Sequence, residues 1–565
     1  MLVLTSWLQS PRAWIALLPA LLMVLMSACE PDQPDQSEQA AEVPEQELEF
    51  DPGTVEDREA LFDYLVEKTM ERDAFASLQE HPVHREHPAG IDVIAEMEQH
   101  REALINAETD EEMWHALRKI SNARRDRHLG ISPIENGLER PDHLDIEVEA
   151  PLSFKVDFGD KDNRFFFVAD LAEDIEDHVT GEVPSLGDRL VTVEGRTTEE
   201  HVEAMRPHKR YSIEDPLWWL IGDEITRTWD TYYGYSHHLP HDEFYGGEPD
   251  ILSLELERQD GSRYQLEVPY MNPDDIEWQG HTERDYPGFS PVDELSGYES
   301  YRNIYLSDNG KPVVIIDWFG FRGDVPDAMD HLMEYAEEHN LLDYHVIVDA
   351  TRSRGGSNGA YVLARLQNER FKTTAHNLMI SDVSERWVRD RIEQMRENPP
   401  EHSRGQNLVY EKEWLKTDAL KAIENGSYYT NNVPFKGVQP KWGDRFINPA
   451  DKHFTGGLTV WLAPHGGSHL DQFASQVADN DIGHIMGMAA GGYSNSWSTS
   501  SVLRFPTTGK PIVEYEWSMG HSIRANDEIL QYNAAEPHEY IPQTRDNFFE
   551  YHPMLLERTM ERLEL

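Results

Sequence analysis

Basic residues and cysteine are what this 565-residue sequence has least of for its size. Fifty Lys and Arg face 105 Asp and Glu, a net charge of −55 at pH 7. Such a surplus repels nucleic-acid phosphates and anionic lipid surfaces, so neither is an expected partner. The acid is spread along the whole chain rather than gathered in a tail. That pattern favours a solvated surface suited to high salt over the alternative of a merely very soluble exported protein. Cys29 is the only cysteine, which excludes an intramolecular disulfide in any redox compartment. Long apolar runs are scarce too: the run at residues 13–26 is too short for a membrane span. With 39% hydrophobic and 10% aromatic residues, wholesale disorder is excluded, and the length leaves room for two to four domains.

What is present begins with a targeting pattern. Arg12, the apolar run 13–26, and the small residues Ser27 and Ala28 before Cys29 have the three parts of a secretory signal peptide. The segment resembles a bacterial lipobox, with Met26 where leucine is usual and Leu25 beside it. The resemblance implies a signal at 1–28 and lipidation of Cys29; the bland alternative is a plain signal peptide with an incidental cysteine. Residues 29–55 are rich in Pro, Gln, Glu and Asp without apolar periodicity, and read as a disordered acidic tether. The expectation is an exported, lipid-anchored protein of the cell envelope, facing the periplasm.

The mature chain is expected to be α/β and multidomain. Residues 56–130 read as helical: Leu61, Phe62, Leu65 and Val66 share one face, Met113, Leu117 and Ile120 another. Thr109 and Glu112 form a capping-box start. Residues 150–275 turn strand-rich, with FFFVADL at 165–171 and a hairpin around Asp260-Gly261. The Gly-Asp turn, short strand, Gly turn and helix of 186–205 resemble PDZ peptide-recognition modules, with 208–250 as an insertion. From 276 to 565 strands and helices alternate. KPVVIIDWF, YHVIVDA, LTVWLAP, IGHIMGM and PIVEYEW are the strands, several of them unbroken apolar runs of the kind found in sheets covered on both faces.

The sharpest chemical feature is APHGGSHLDQFASQVADNDIGHIMGMAAGG at 463–492. A buried strand runs through a glycine turn to Ser468, then into an amphipathic helix. Ser468 therefore stands at a helix N-terminus, where backbone N–H groups can stabilise a developing oxyanion. A plain N-cap serine is the bland alternative.

This arrangement resembles the C-terminal-processing and tricorn-core serine peptidases, whose core has a ClpP/crotonase-like α/β fold. In that pattern an acidic residue, an aspartate and a strand-ending glycine follow the serine at fixed spacings, matched here by Asp471, Asp479 and Gly487. Upstream, VIVDATRSRGGSNGAY carries Asp349 at a strand end and Gly355-Gly356 at the family's glycine loop, with Thr351 and Ser353 replacing its Arg and Asn. The resemblance implies Ser468 as nucleophile and backbone amides at Gly355 or Gly356 and at His469 as the oxyanion hole. Where processing peptidases place their lysine base this chain has Tyr493. The tricorn-like branch uses a histidine at the end of the helical domain, which points to His128 in Asp126-Arg127-His128. That branch has serine where Arg127 stands, and a late glutamate that orients the base; Gln531, Glu528 and Glu536 are the nearest candidates. Protein or peptide substrates are implied, with no cofactor or metal and no indication of oligomeric state.

Rival readings remain. A catalytically inactive peptidase fold that binds peptides or lipids would explain the missing lysine and Arg127. Gly355-Gly356-Ser357-Asn358-Gly359 matches the nucleophile elbow of an α/β-hydrolase esterase, though four residues separate it from its strand. The histidine clusters at 81–87 and 236–243 are expected to be surface loops rather than metal sites. The aromatic run 218–235 is expected to pack an inserted helix.

Overall fold

Capping and apolar spacing lay down the helical N-terminal part. In the computed structural model, residues 50–78, 89–141, 147–227, 251–280, 284–398, 409–434, 444–494 and 497–565 are described, and Phe50–Leu565 is one compact unit. The signal segment, Cys29, residues 30–49 of the acidic tether, both histidine clusters and residues 228–235 of the aromatic run lie outside the described residues; the last stretch called tether, 50–55, is instead part of the compact unit, because Phe50 is buried and Thr54 caps a helix. Helix α1, Val55–Arg72, starts at a capping box between Thr54 and Asp57 and buries Leu61, Phe62 and Leu65. Helix α2, Asp110–Asn122, starts at the expected Thr109–Glu112 box and buries Met113, Leu117 and Ile120. Among the described residues no helix is long and apolar enough to cross a membrane.

An antiparallel sheet follows, its strands ordered Leu152–Asp157, Phe165–Leu171, Arg189–Val193, Ile251–Glu257, Arg263–Pro269 and Thr180–Gly181. The hairpin expected at Asp260-Gly261 is there, with Leu254 opposite Leu266 and Gly261 at φ 85°. Helix α3, Glu214–Glu224, packs on this sheet so closely that a Cβ on Gly222 would lie 2.9 Å from the Phe166 ring.

The central sheet has seven strands: β1 Phe289–Pro291, β2 Tyr301–Ser307, β3 Val313–Trp318, β4 His345–Asp349, β5 Leu458–Leu462, β6 His484–Gly487 and β7 Glu539–Tyr540. From β3 to β7 every pairing is parallel; β1 and β2 close the edge antiparallel. Alternation along the strands serves two cores. Val314, Ile316, Val346, Val348 and Val460 face helices α4 (Val325–Glu338), α5 (Gly359–Leu366) and α7 (His469–Asp479). Val313, Ile315, Ile347 and Trp461 face α8 (Tyr551–Arg562). Each fully buried aliphatic side chain contributes about 1.5–3 kcal/mol, which is why these runs read as unbroken apolar strings. Helix α6, Asp382–Glu397, lies in a separate small core with Trp414 and Leu378.

PIVEYEW is not a strand of the central sheet. Pro511–Ser518 pairs antiparallel with Ser498–Arg504 and with Ile131–Ser132. The reason is visible in its pattern: Val513, Tyr515 and Trp517 are buried while Glu514 and Glu516 alternate with them less buried, which suits a sheet wet on one face. The last parallel strand is the short β7 instead. Taken together, the helical part, the antiparallel sheet and the doubly covered parallel sheet make the mixed α/β architecture expected from the sequence.

Candidate active site

The nucleophile turn stands at the carboxyl edge of the parallel sheet, where loops after adjacent strands converge. After β5, residues 463–467 turn the chain, and α7 starts at His469. Ser468 has φ 60° and ψ −119°, a conformation that costs a non-glycine residue about 1–3 kcal/mol. Several bonds hold it there. The Ser468 N–H donates to the Tyr493 carbonyl at 2.5 Å, and the Gly491 N–H to the Gly466 carbonyl at 2.7 Å. The Asp471 carboxylate accepts the N–H groups of Gly492 and Tyr493, each at 3.0 Å. Close approach demands the two glycines: a Cβ on Gly466 would meet the Ser353 oxygen at 1.9 Å, and one on Gly467 the Tyr493 ring at 2.2 Å. Tyr493 is thus a structural clamp on the turn.

His128 reaches the serine from the other end of the sequence. The segment after α2 is pinned by Arg124, which is buried, donates to the Glu516 carbonyl at 2.6 Å and lies 4.5 Å over the Tyr515 ring. Beyond it, Ile131 pairs with Tyr515. Between these anchors the His128 Nε2 sits 3.1 Å from the Ser468 Oγ, within the reach needed for proton transfer. The buried Asp126 carboxylate accepts the His128 N–H at 2.9 Å and lies 3.6 Å from its Nδ1. Arg127 does not displace the histidine; its guanidinium stacks 4.6 Å over the Tyr493 ring.

The glycine loop meets this pair. Arg354–Gly356 forms a two-stranded parallel ladder with Gly320–Phe321. The Arg354 N–H donates to Phe319 and the Ser357 N–H to Phe321. A Cβ on Gly355 would lie 2.6 Å from the Ser468 Cβ and 3.0 Å from its Oγ, so this residue borders the nucleophile directly. Gly356, at φ 142°, is pressed against the Phe321 carbonyl. The His469 amide belongs to the first turn of α7, where helix N–H groups point out of the helix.

Of the three candidates for orienting the base, none bonds His128. Its Nδ1 has no hydrogen-bond partner among the described residues. Gln531 is fully buried, with its Oε1 accepting the Ser494 N–H at 2.6 Å and its Nε2 donating to Ser212 at 3.0 Å. Glu528 is exposed and accepts from Asn526 and Asn533; Glu536 is also exposed. The carboxylate beside the histidine is Asp126, two residues before it, at 3.6 Å from Nδ1.

Electrostatics around the turn are set by burial. Burial raises the Asp471 carboxyl from 3.8 to about 7, against the pull of the Gly492, Tyr493 and Ser468 amides and of Arg127. Burial lowers His465 to about 3, so it is a neutral ring, packed edge-on at 4.3 Å against Trp219 of α3. At the end of β4, burial opposes ionisation of Asp349, but Arg284 foremost, then His552, hold it well below the usual carboxylate range. It accepts from Thr351 and Tyr286, each at 2.6 Å.

Ser357 has a different setting. The positive φ angles in its motif belong to Gly356, at 142°, and Asn358, at 73°, whereas an elbow strains the nucleophile itself. That strain is found at Ser468.

No family model matches the sequence, and no curated protein is a significant match. Solved structures do resemble it. Mature CPAF superposes with a TM-score of 0.60 at 14% identity, covering 89% of this chain and 96% of that one. Mature CPAF complexed with lactacystin gives 0.61 at 14% identity, covering 90% and 98%. A photosystem II D1 C-terminal processing protease aligns at a TM-score of only 0.35, with 11% identity over 86% of this chain and 92% of that one. Over nearly nine-tenths of its length, then, this chain has the fold of mature CPAF.

Proposed function

We propose that the chain is a serine peptidase, an endopeptidase or C-terminal-processing type, with Ser468 as nucleophile and His128 as general base. One observation carries the reading: a serine strained to φ 60° at the head of a helix has its Oγ 3.1 Å from an imidazole nitrogen. The fold it shares with mature CPAF supports it. In the reaction the Ser468 Oγ attacks the scissile carbonyl carbon as its proton passes to His128 Nε2. The carbonyl oxygen becomes an oxyanion received by the amides of Gly355 and His469. His128 then returns the proton to the leaving amine, and water releases the acyl group by the same route in reverse. Asp126 stabilises the imidazolium by its charge.

The test is cleavage of a mixture of quenched fluorescent peptides at pH 7. Wild type turns over, and Ser468→Ala or His128→Ala lowers kcat by about a thousandfold or more. Ser357→Ala stays within a few-fold. Turnover lost only in Ser357→Ala would move the chain to the esterases. A second reading, an inactive peptide-binding scaffold, has one observation in its favour, that the His128 Nδ1 makes no hydrogen bond among the described residues; absence of turnover in folded wild type supports it. Export, lipidation at Cys29 and an envelope location are proposals that rest on the N-terminal sequence, and a Cys29→Ser variant that still carries lipid would overturn the anchor.

A further inference from the structure

In a chain with 55 more acidic than basic residues, one site has the opposite sign. Phe319 follows β3, and three guanidinium groups surround its ring: Arg302 at 5.2 Å, Arg322 at 5.4 Å and Arg354 at 5.5 Å from the centroid. Arg302 and Arg354 are exposed and Arg322 is half-buried. The negative face of an aromatic ring lets cations gather that would otherwise repel one another. Among the described residues no carboxylate pairs with any of the three. The carboxylates nearby are committed elsewhere. Asp317 and Asp349 both bind Arg284, and Asp324 accepts the Glu299 N–H and the Ser300 hydroxyl.

The position matters as much as the charge. Arg354 directly precedes Gly355, the residue that borders the nucleophile, and its N–H is bonded to the Phe319 carbonyl at 2.9 Å. One residue step is about 3.8 Å between Cα atoms, so the Arg354 backbone stands one step from the residue that borders Ser468. Planar guanidinium groups that surround a ring and lack a protein carboxylate suit charge-assisted, bidentate binding of one.

We propose that Arg302, Arg322 and Arg354 form a subsite for a carboxylate of the peptide substrate, so that peptides with an acidic group close to the cleaved bond are selected. The inference deepens the peptidase reading and depends on it for the word substrate, but the binding itself does not. The carboxylate has two sources, an internal Asp or Glu side chain or the peptide's own C-terminus, and the experiment separates them.

Peptide sets are made in which a single Glu or Gln is placed at successive positions, each with a free or an amidated C-terminus. Binding to Ser468→Ala is read by fluorescence anisotropy, and turnover by wild type is read by cleavage. The expected result is about tenfold tighter binding and faster turnover for a Glu peptide over its Gln partner at one or two positions, screened by salt. Preference for a free over an amidated terminus, with none for internal Glu, assigns the site to the C-terminus. In Arg302→Gln combined with Arg322→Gln, and separately in Arg354→Gln, the ratio falls toward one. Cleavage with no preference for either carboxylate overturns the subsite while leaving the peptidase reading intact. Preferential binding without cleavage by wild type keeps the subsite and overturns the peptidase reading.

Discussion

Replacing Asp471 with Asn tests how the nucleophile turn is held. In the wild type this buried carboxylate accepts two backbone N–H groups, from Gly492 and Tyr493, and those residues carry the carbonyl that fixes the Ser468 N–H. Burial raises its titration from 3.8 to about 7. Ionising it inside the fold therefore costs about 4 kcal/mol more than in the unfolded chain. Between pH 4 and pH 7 the native state holds a proton that the unfolded chain has released. Stability contributed by this group is thus fully present below about pH 4 and is lost as pH rises through about 7. Asn cannot ionise, so it removes this dependence, but it offers one acceptor for two donors and leaves one buried N–H unsatisfied at about 1–3 kcal/mol. Urea unfolding of wild type and Asp471→Asn from pH 4.5 to pH 8.5 reads the difference directly. Wild type is expected to have the advantage at the acidic end, and the advantage to shrink or reverse by up to about 4 kcal/mol at the alkaline end. A difference that is flat with pH, or that grows as pH rises, would refute a carboxyl titrating near neutrality beneath the nucleophile.

Gly355→Ala puts a methyl 2.6 Å from the Ser468 Cβ; kcat is expected to fall at least about a hundredfold, while overpacking costs about 1–3 kcal/mol in a melting experiment. Asp479→Ala strands the buried Arg524, to which Asp479 is bonded at 2.6 and 3.1 Å; a destabilisation of about 3–5 kcal/mol is expected, largely recovered when Arg524→Met is added. Asp126→Asn keeps an acceptor for the His128 N–H but removes the charge 3.6 Å from Nδ1. It should lower kcat about 10- to 100-fold with KM held, less than the loss of a directly bonded triad acid.

The sequence carries the fold's layers clearly because its periodicities differ. The unbroken runs of β3, β4 and β5 announce a sheet covered twice, and the boxes at Thr109 and Glu112 mark a helix start by local bonds alone. Pro511–Ser518 is a strand as its sequence reads, but which sheet it joins depends on long-range pairing; its alternation of Glu514 and Glu516 with Tyr515 and Trp517 sets it apart from the unbroken runs. At the site, Ser468 stood out by its strand, glycine turn and helix, whereas His128 was reached only through the family resemblance, since 340 residues separate the two. The base's neighbour was not legible. A late glutamate was sought by spacing, whereas the carboxylate beside His128 is Asp126, brought close by a turn. The arginines around Phe319 come from three separate segments, and no local pattern joins Arg302, Arg322 and Arg354 before folding does.

The most direct test of the central claim is the site of covalent labelling. Wild type and His128→Ala are treated with a fluorophosphonate at pH 7, digested and sequenced by mass spectrometry. The account predicts one phosphonylated residue, Ser468, in wild type, and labelling slowed by about a hundredfold or more in His128→Ala. An adduct on Ser357, or labelling of Ser468 at an undiminished rate without His128, would contradict it.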